Sequence, residues 1–391
     1  MISASLSPNA ERDDVLLALK TLFVPWKWQS GDALLSVRLW FEKRYDAEFV
    51  LFSSGRVALF AILKSFDIGD GDEVIIQAFT CVAVPNSVLW AGAAPVYVDI
   101  DGTYNIDASD VEKKITKRTK AIVVQHTFGI PANIETISKI AKKHALLVIE
   151  DCAHSLGMKT LSGDAAFFSF GRDKVISSVW GGGAVINGKW QMANGKLRQF
   201  ERNLPHSNNF WIVQQLFHPI AFSLILRLYD VIVGKLLLVL LQKFNLLSIP
   251  VFPVEKHGGK PNELFTKFPN ALAILTLNQL KKLDRYNKRR GEIANYYAKE
   301  LGLSIAKEAI YLRFPILVEN PEQLIKKAKK RGFLLGNWYH NIIDPAGVDL
   351  EKVGYSKGSC PNAENAARHI INLPTRVTLA QAQYVVQQIN R

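Results

Sequence analysis

The sequence predicts an α/β fold, with a large domain built on a mostly parallel sheet between helices and a small α+β domain at the C-terminal end. Three observations carry this. From about Glu48 to Ile186, short β-branched runs alternate with amphipathic segments, the rhythm of βα units. Two of the runs, AIVVQ at 121–125 and LLVIE at 146–150, are apolar on both faces, as strands covered by helices on both sides are, so they belong in the middle of the sheet. Beyond about residue 262 the order changes to a long helix, a strand and two further helices, which describes a second, smaller unit.

The elements follow in order. EVIIQAF (73–79), APVYVDI (94–100), KAIVVQH (120–126), ALLVIED (145–151) and DAAFFSF (164–170) read as strands, and IETISKIAKKH (134–144) as a helix between two of them. Asp151, His154 and the residues after Gln125 then fall just past strand C-terminal ends, where ligands bind in open α/β sheets. The stretch from Asn203 to Lys260 breaks the pattern. Its core, 216–247, is the most apolar part of the chain, yet Arg227, Asp230, Lys235 and Lys243 interrupt it before a clean span of about 18 residues accumulates. Two short helices turning near Gly234 are expected instead, lying in a membrane interface or against another subunit. VEKHGGKPNE (254–263) reads as a polar linker. After it, 271–301 has the period of one long amphipathic helix, 311–320 that of a strand, 320–332 a helix closed by Gly332, and 380–390 a terminal helix. The expected parts are 1–202, a large domain with an N-terminal arm; 203–262, an apolar helical insertion; and 263–391, a bridging helix with the small domain.

Composition bounds the function. With 391 residues and 48% hydrophobic side chains the chain can build a large core, so neither a disordered tail nor a disulfide scaffold is at issue. Cys81, Cys152 and Cys360 lie far apart with no CxxC spacing, so no zinc ribbon or disulfide framework is expected, no metal site is proposed, and a reducing cytoplasmic setting fits. The N-terminal residues meet acids before any apolar run, which is not the plan of a signal peptide. A net charge of +13 favours anionic partners. No DNA or RNA module accompanies that charge, so a nucleic-acid partner is not expected.

Three segments carry candidate chemistry. In FSSGRVALFAIL, Ser53-Ser54-Gly55 precedes a helical pattern, and backbone N–H groups at such a start either bind phosphate or are simply capped. In VIEDCAHS, Glu150 and Asp151 stand at a strand end with His154 three residues on. A carboxylate there can hold a cation, cap a turn or ligate a metal, and the histidine can stack on or hydrogen-bond the same ligand. In FFSFGRDKVISSVWGGG, Ser169 and Lys174 precede the run Gly181–Gly183. A lysine between an apolar strand and a glycine turn is a candidate for a lowered pKa and Schiff-base chemistry, against the commoner reading of a solvated surface group.

These three, in this order, resemble the DegT/StrS family of pyridoxal-phosphate-dependent sugar aminotransferases, of the fold-type-I aspartate aminotransferase architecture. The likeness runs over most of the chain, through SSGRVAL, GDEVIIQAFTCVAVPNSVLWAGAAPVYVDID, NIDASDVEKKITKRTKAIVVQHTFG, VIEDCAHSLG, FSFGRDK, NQLKKLDRYNKRRGEIANYY and INLPTRVTL, and omits only Asn203 to Lys260. It implies that Lys174 is the lysine that bonds to the cofactor, that Asp151 pairs with its pyridine nitrogen, and that His154 contacts its ring or phenolic oxygen. Ser169 matches a phosphate ligand, and Ser54 and Gly55 match the helix-start phosphate cradle. It implies further a nucleotide-linked keto-sugar substrate, glutamate as amino donor, a role in cell-surface polysaccharide or glycan synthesis, and a homodimer with shared sites.

The chain also departs from that pattern. Arg56 follows the cradle glycine where threonine is usual, and either reaches the phosphate or points away. Cys81 stands where many members stack an aromatic on the ring. Gly171 replaces a common histidine, Val179-Trp180 a common Gly-Glu pair, and Lys267 an arginine of the substrate pocket. These departures leave open a non-catalytic or regulatory role on the same scaffold, or another sugar-modifying reaction of the same cofactor. Deoxygenating relatives carry histidine in place of the Schiff-base lysine, and Lys174 argues against that reaction.

Overall fold

A computed structural model gives the architecture and describes residues 2–4, 9–158, 161–228 and 233–389. Seven strands form the central sheet: β1 (Phe49–Phe52), β2 (Glu73–Gln77), β3 (Ala94–Val98), β4 (Thr119–Gln125), β5 (Leu147–Asp151), β6 (Ala165–Ser169) and β7 (Gly182–Ile186). Their spatial order is 1-7-6-5-4-2-3. Neighbours run parallel except at β7, which is antiparallel to both β1 and β6.

The two-sided apolar runs sit inside the sheet as expected, with Val123 opposite Ile149 and Gln125 opposite Asp151. Strand residues alternate between faces, and here they feed two separate cores. Val74, Ile76, Ala121 and Val123 pack with helix Gly55–Ser65 in the larger core. Ile75, Ile122 and Val124 pack on the other face with Val111, Ile137 and Ala141, from helices Ala108–Lys114 and Ile134–Lys143. The smaller unit has its own core around an antiparallel pair, β8 (Phe314–Leu317) and β9 (Ile370–Leu373), covered by helices Leu283–Leu301, Pro321–Lys330 and Leu379–Ile389. A short parallel bridge, Ile343–Asp344 against Thr80–Cys81, fastens the C-terminal region to the large sheet beside the site described below.

Three expectations need correction. The helix expected over 271–301 is two helices, Asn270–Leu280 and Leu283–Leu301. No glycine or proline marks the break. It falls at Lys282, which is buried and gathered by Glu11, Asp13 and Asp14 of the N-terminal region. The expected linker over 254–263 is packed: Glu255 is fully buried, its backbone carbonyl accepts from Asn86 Nδ2 (2.8 Å), and Gly258 O accepts from Trp90 Nε1 (3.1 Å). The apolar stretch forms helices Asn209–Arg227 and Val233–Lys243, so Gly234 belongs to the second helix. Asp230 lies outside the described residues. Asn209–Arg227 is the one helix among the described residues long and apolar enough to cross a membrane, and half of its apolar window is buried in the protein.

Candidate active site

The C-terminal ends of β1, β4, β5 and β6 and the start of the reversed β7 share one edge of the sheet, and a cavity of about 240 Å³ opens there. All eight positions singled out from the sequence, Ser54, Gly55, Arg56, Cys81, Asp151, His154, Ser169 and Lys174, line it.

At one end Ser54 caps helix Gly55–Ser65, its Oγ accepting from Val57 N–H at 3.4 Å, and the first turn carries no acid. Ser54 bridges Gly181, and Ser169 Oγ accepts from Gly171 N–H at 3.4 Å. Glycine eases this closeness at 55, since a Cβ there would stand a tight 3.1 Å from Ser169 Cβ and 3.2 Å from Phe168 O. Two hydroxyls with long internal bonds and a helix N-terminus thus line the same cavity, a donor set suited to an anion.

At the other end Asp151 closes β5. It is buried and accepts from Ala153 N–H (2.9 Å), and burial pushes its carboxyl pKa up. An anion held there calls for a cationic partner, and no ion pair reaches it among the described residues. Its neighbour Glu150 points to the opposite face, where it accepts from Ser162 and Gly163 N–H (2.6 Å each) and lies 3.1 Å from His126 Nε2, so it is structural.

Between the two ends, Lys174 Nζ lies 3.0 Å from His154 Nε2 and 5.0 Å from the centre of the Trp338 ring. The backbone N–H of Phe128 donates to His154 Nδ1 (3.2 Å). A neutral imidazole therefore carries its proton on Nε2, assigned from this network, and that N–H faces the lysine. The charges agree. Burial, then the neighbouring Lys174 and Arg313, hold His154 well below its ordinary pKa of 6.5, and burial lowers Lys174. Burial thus moves Lys174 towards the neutral amine, beside a histidine, the direction that favours a nucleophile or base.

The departures from the expected pattern touch one another. Arg56 ion-pairs with buried Glu255, donates to Pro250 O (2.8 Å) and lies over Trp180 (5.3 Å). Trp180 Nε1 donates to Ser248 Oγ (3.1 Å), and Arg172 donates to Ser248 O (2.7 Å) and Oγ (2.9 Å). Pro250 and Val251 of the same stretch line the cavity. Val179, where the resemblance expects glycine, has φ 73°, a conformation that glycine adopts freely and a β-branched residue does not. Cys81 is in the cavity wall, its thiol pKa raised by burial. Lys267 is not among the cavity residues.

Sequence reasoning missed Trp338 and Tyr339. Trp338 stacks on His154 with rings 5.6 Å apart and 17° between planes, and Tyr339 Oη lies 3.4 Å from His154 Nε2. The only local signal was an aromatic pair inside the polar run GNWYHN.

Comparison with known proteins gives the site its setting. The model of the DegT/DnrJ/EryC1/StrS aminotransferase family matches residues 40–203 and 264–390, leaving the stretch between them unmatched. The GDP-perosamine synthase of Escherichia coli O157:H7 is 42% identical over 359 residues, covering 86% of this chain and 84% of that protein. The UDP-N-acetyl-3-dehydro-alpha-D-glucosamine 3-aminotransferase of Acidithiobacillus ferrooxidans is 40% identical over 346 residues, covering 85% and 80%. The solved structure of the Helicobacter pylori aminotransferase involved in pseudaminic acid biosynthesis superposes with a TM-score of 0.73 at 21% identity, covering 97% of this chain and 96% of that one, and so shares the fold.

Proposed function

The chain belongs to the DegT/DnrJ/EryC1/StrS aminotransferase family, pyridoxal-phosphate-dependent sugar aminotransferases, and on that premise we propose that it aminates a nucleotide-linked keto-sugar, with glutamate as donor, at the edge of the central sheet. Sugars of this kind enter cell-surface polysaccharides and glycans, the setting that the names of its relatives support.

The residues fit the cofactor. The glycine-relieved cradle of Ser54, Gly55 and Ser169 would take its phosphate, and buried Asp151 would face its ring nitrogen as counter-ion. His154 would flank the ring, and Lys174 would bond to the aldehyde. Bound pyridoxal phosphate supplies that aldehyde and a ring that accepts the electron pair released at the donor's Cα. Lys174, whose pKa burial lowers, is the base that moves the Cα proton, and His154 Nε2, 3.0 Å away, orients it. Arg56 is turned towards Glu255, so in this reading it shapes the wall and leaves the phosphate to the serines and the helix start.

The observation that carries the proposal is the meeting of Lys174, His154, Asp151 and the Ser-Gly cradle around one cavity. Its test is Lys174→Ala, incubated with pyridoxal phosphate, glutamate and a panel of nucleotide keto-sugars. The variant is expected to stay folded by circular dichroism, lose the visible absorbance of bound cofactor and transfer no amino group. Undiminished transamination by Lys174→Ala would overturn the assignment.

In this reading residues 1–202 hold the cofactor, 263–391 complete the substrate pocket, and 203–262 is an added segment that walls it. The enzyme is a homodimer with shared sites, supported by the family resemblance and by the exposed apolar side chains of Leu16, Leu19, Leu35 and Leu39. A cytoplasmic setting is supported by three free cysteines, two of them buried. Contact with a membrane surface through 216–247 is supported by the apolar side chains that helix Val233–Lys243 exposes.

A further inference from the structure

Lys174 stands in the segment between β6 and β7, residues 170–181, which carries neither helix nor strand. A lysine there has no ladder to fix its backbone, so its carbonyl and the next one need partners from elsewhere. Asn9 of the N-terminal arm supplies them. It is fully buried, its Nδ2 donates to the backbone oxygen of Lys174 and to Val175 O (3.1 Å), and its Oδ1 accepts from Arg290 Nη2 at 3.0 Å. The amide has one workable orientation, since turning it round would set oxygen against two carbonyl groups and nitrogen against a guanidinium. The backbone oxygen of Asn9 accepts from Gln279 Nε2 (3.1 Å) and Tyr286 Oη (3.2 Å), which fixes the arm itself.

The same set of bonds reaches the histidine. Arg290 is fully buried and donates also to Val175 O (2.8 Å) and to Asn287 Oδ1 (2.8 Å), and Asn287 Nδ2 donates to Leu156 O (3.0 Å), two residues beyond His154. Both sides of the 3.0 Å contact between Lys174 Nζ and His154 Nε2 are thus held from behind by helix Leu283–Leu301, with Asn9 joining that helix to the lysine. We propose that Asn9 is a positioning residue for Lys174, fixing the peptide from which the reacting amine projects, an inference that rests on the aminotransferase reading above. Asn9 lies ahead of residues 40–203, where the family model begins to match, so the device is outside the shared pattern. The hydrogen-bond partners of Arg290 among the described residues are all neutral, and taking a guanidinium out of water costs several kcal/mol. Apolar side chains would fill the space at less cost; the polar set supplies instead a fixed place for two carbonyl groups. A misplacement of about 1 Å at a reacting group can lower its rate by about 100-fold.

The test uses Asn9→Ser, which removes the bonds to the lysine's peptide and adds no charge, and Asn9→Asp, which removes them while giving Arg290 a carboxylate that keeps the arm seated. In protein without cofactor, competitive acetylation read by mass spectrometry gives the pH at which Lys174 is half reactive. Burial holds that midpoint below an ordinary lysine's, and Asn9→Ser should raise it by about one pH unit while the other lysines stay in place. In the loaded enzyme, kcat for the donor half-reaction should fall about 10- to 100-fold in both variants, with KM for glutamate within about threefold of wild type. A merely structural asparagine would lower the melting temperature and leave the midpoint and kcat at wild-type values. An unmoved Lys174 midpoint in folded Asn9→Ser, or an undiminished kcat in either folded variant, overturns the proposal. If Asn9→Ser does not fold, the kcat of Asn9→Asp decides alone. If wild-type protein transaminates no donor at all, the aminotransferase reading fails instead, and the acetylation midpoint still reports on Asn9.

Discussion

At the scale of single residues, the site is a set of groups whose charge states burial has moved. His154 and His218 are both held well below 6.5, chiefly by burial, so the folded chain keeps them neutral where the unfolded chain takes up protons. The sign follows. Stability is full above about pH 6.5 and is lost as pH falls below it, by about 1.4 kcal/mol per pH unit for each such proton, until the folded pKa is reached. Thermal melts between about pH 5 and 7 should show that slope, and His154→Gln should reduce it by about half. An unchanged slope would mean that His154 is protonated in the fold. The same residues mark the limit of what the sequence showed. Ser54, Asp151, His154, Ser169 and Lys174 were legible because each stands in a short run with its own chemical logic. Trp338 and Tyr339 were not, because a strand pairing between residues 80–81 and 343–344, which no local pattern encodes, lies beside them at the cavity.

At the scale of elements, the inserted stretch is tied to the site by Arg56, Arg172 and Trp180, all converging on 248–255. Its tail looked like a linker because VEKHGGKPNE is polar. Polarity in a sequence does not tell a solvated charge from a buried, paired one, and Glu255 is the second kind. Arg56 is nearly buried as well, so breaking the pair strands a charge. Glu255→Ala should therefore destabilise the protein by about 3–5 kcal/mol in urea unfolding, while replacing both partners with methionine should cost far less. Equal losses in the two variants would show that the pair itself, and not the stranded arginine, sets the cost. The break at Lys282 teaches the same lesson: helical period ran on through 271–301, and the three acids that gather the lysine lie about 270 residues away in sequence.

At the scale of the whole molecule, the mostly parallel sheet and the central place of 121–125 and 146–150 follow from β-branched runs apolar on both faces alternating with amphipathic segments, which is why the α/β architecture was readable without coordinates, whereas the full strand order was not. The apolar excess was readable too, but its use depends on what it faces. Helix Asn209–Arg227 is half consumed by packing, and together with Leu247 it forms a small apolar cluster against helix Val233–Lys243. The outer side of that second helix leaves Val233, Leu236, Val239 and Leu240 in solvent, followed by Phe244 at 68% exposure, on a helix bearing Lys235 and Lys243. Apolar side chains beside lysines on a chain of net charge +13 suit an anionic lipid surface better than a second copy carrying the same charge. Leu236→Ser with Leu240→Ser should therefore abolish co-pelleting with vesicles containing phosphatidylserine, leave the sedimentation coefficient unchanged, and leave amino transfer to a soluble nucleotide keto-sugar within about twofold. Dissociation to monomers with vesicle binding retained would place that face in the subunit interface instead. Wild-type binding to neutral vesicles as strong as to anionic ones would remove the lysines from the account and leave the apolar face to act alone.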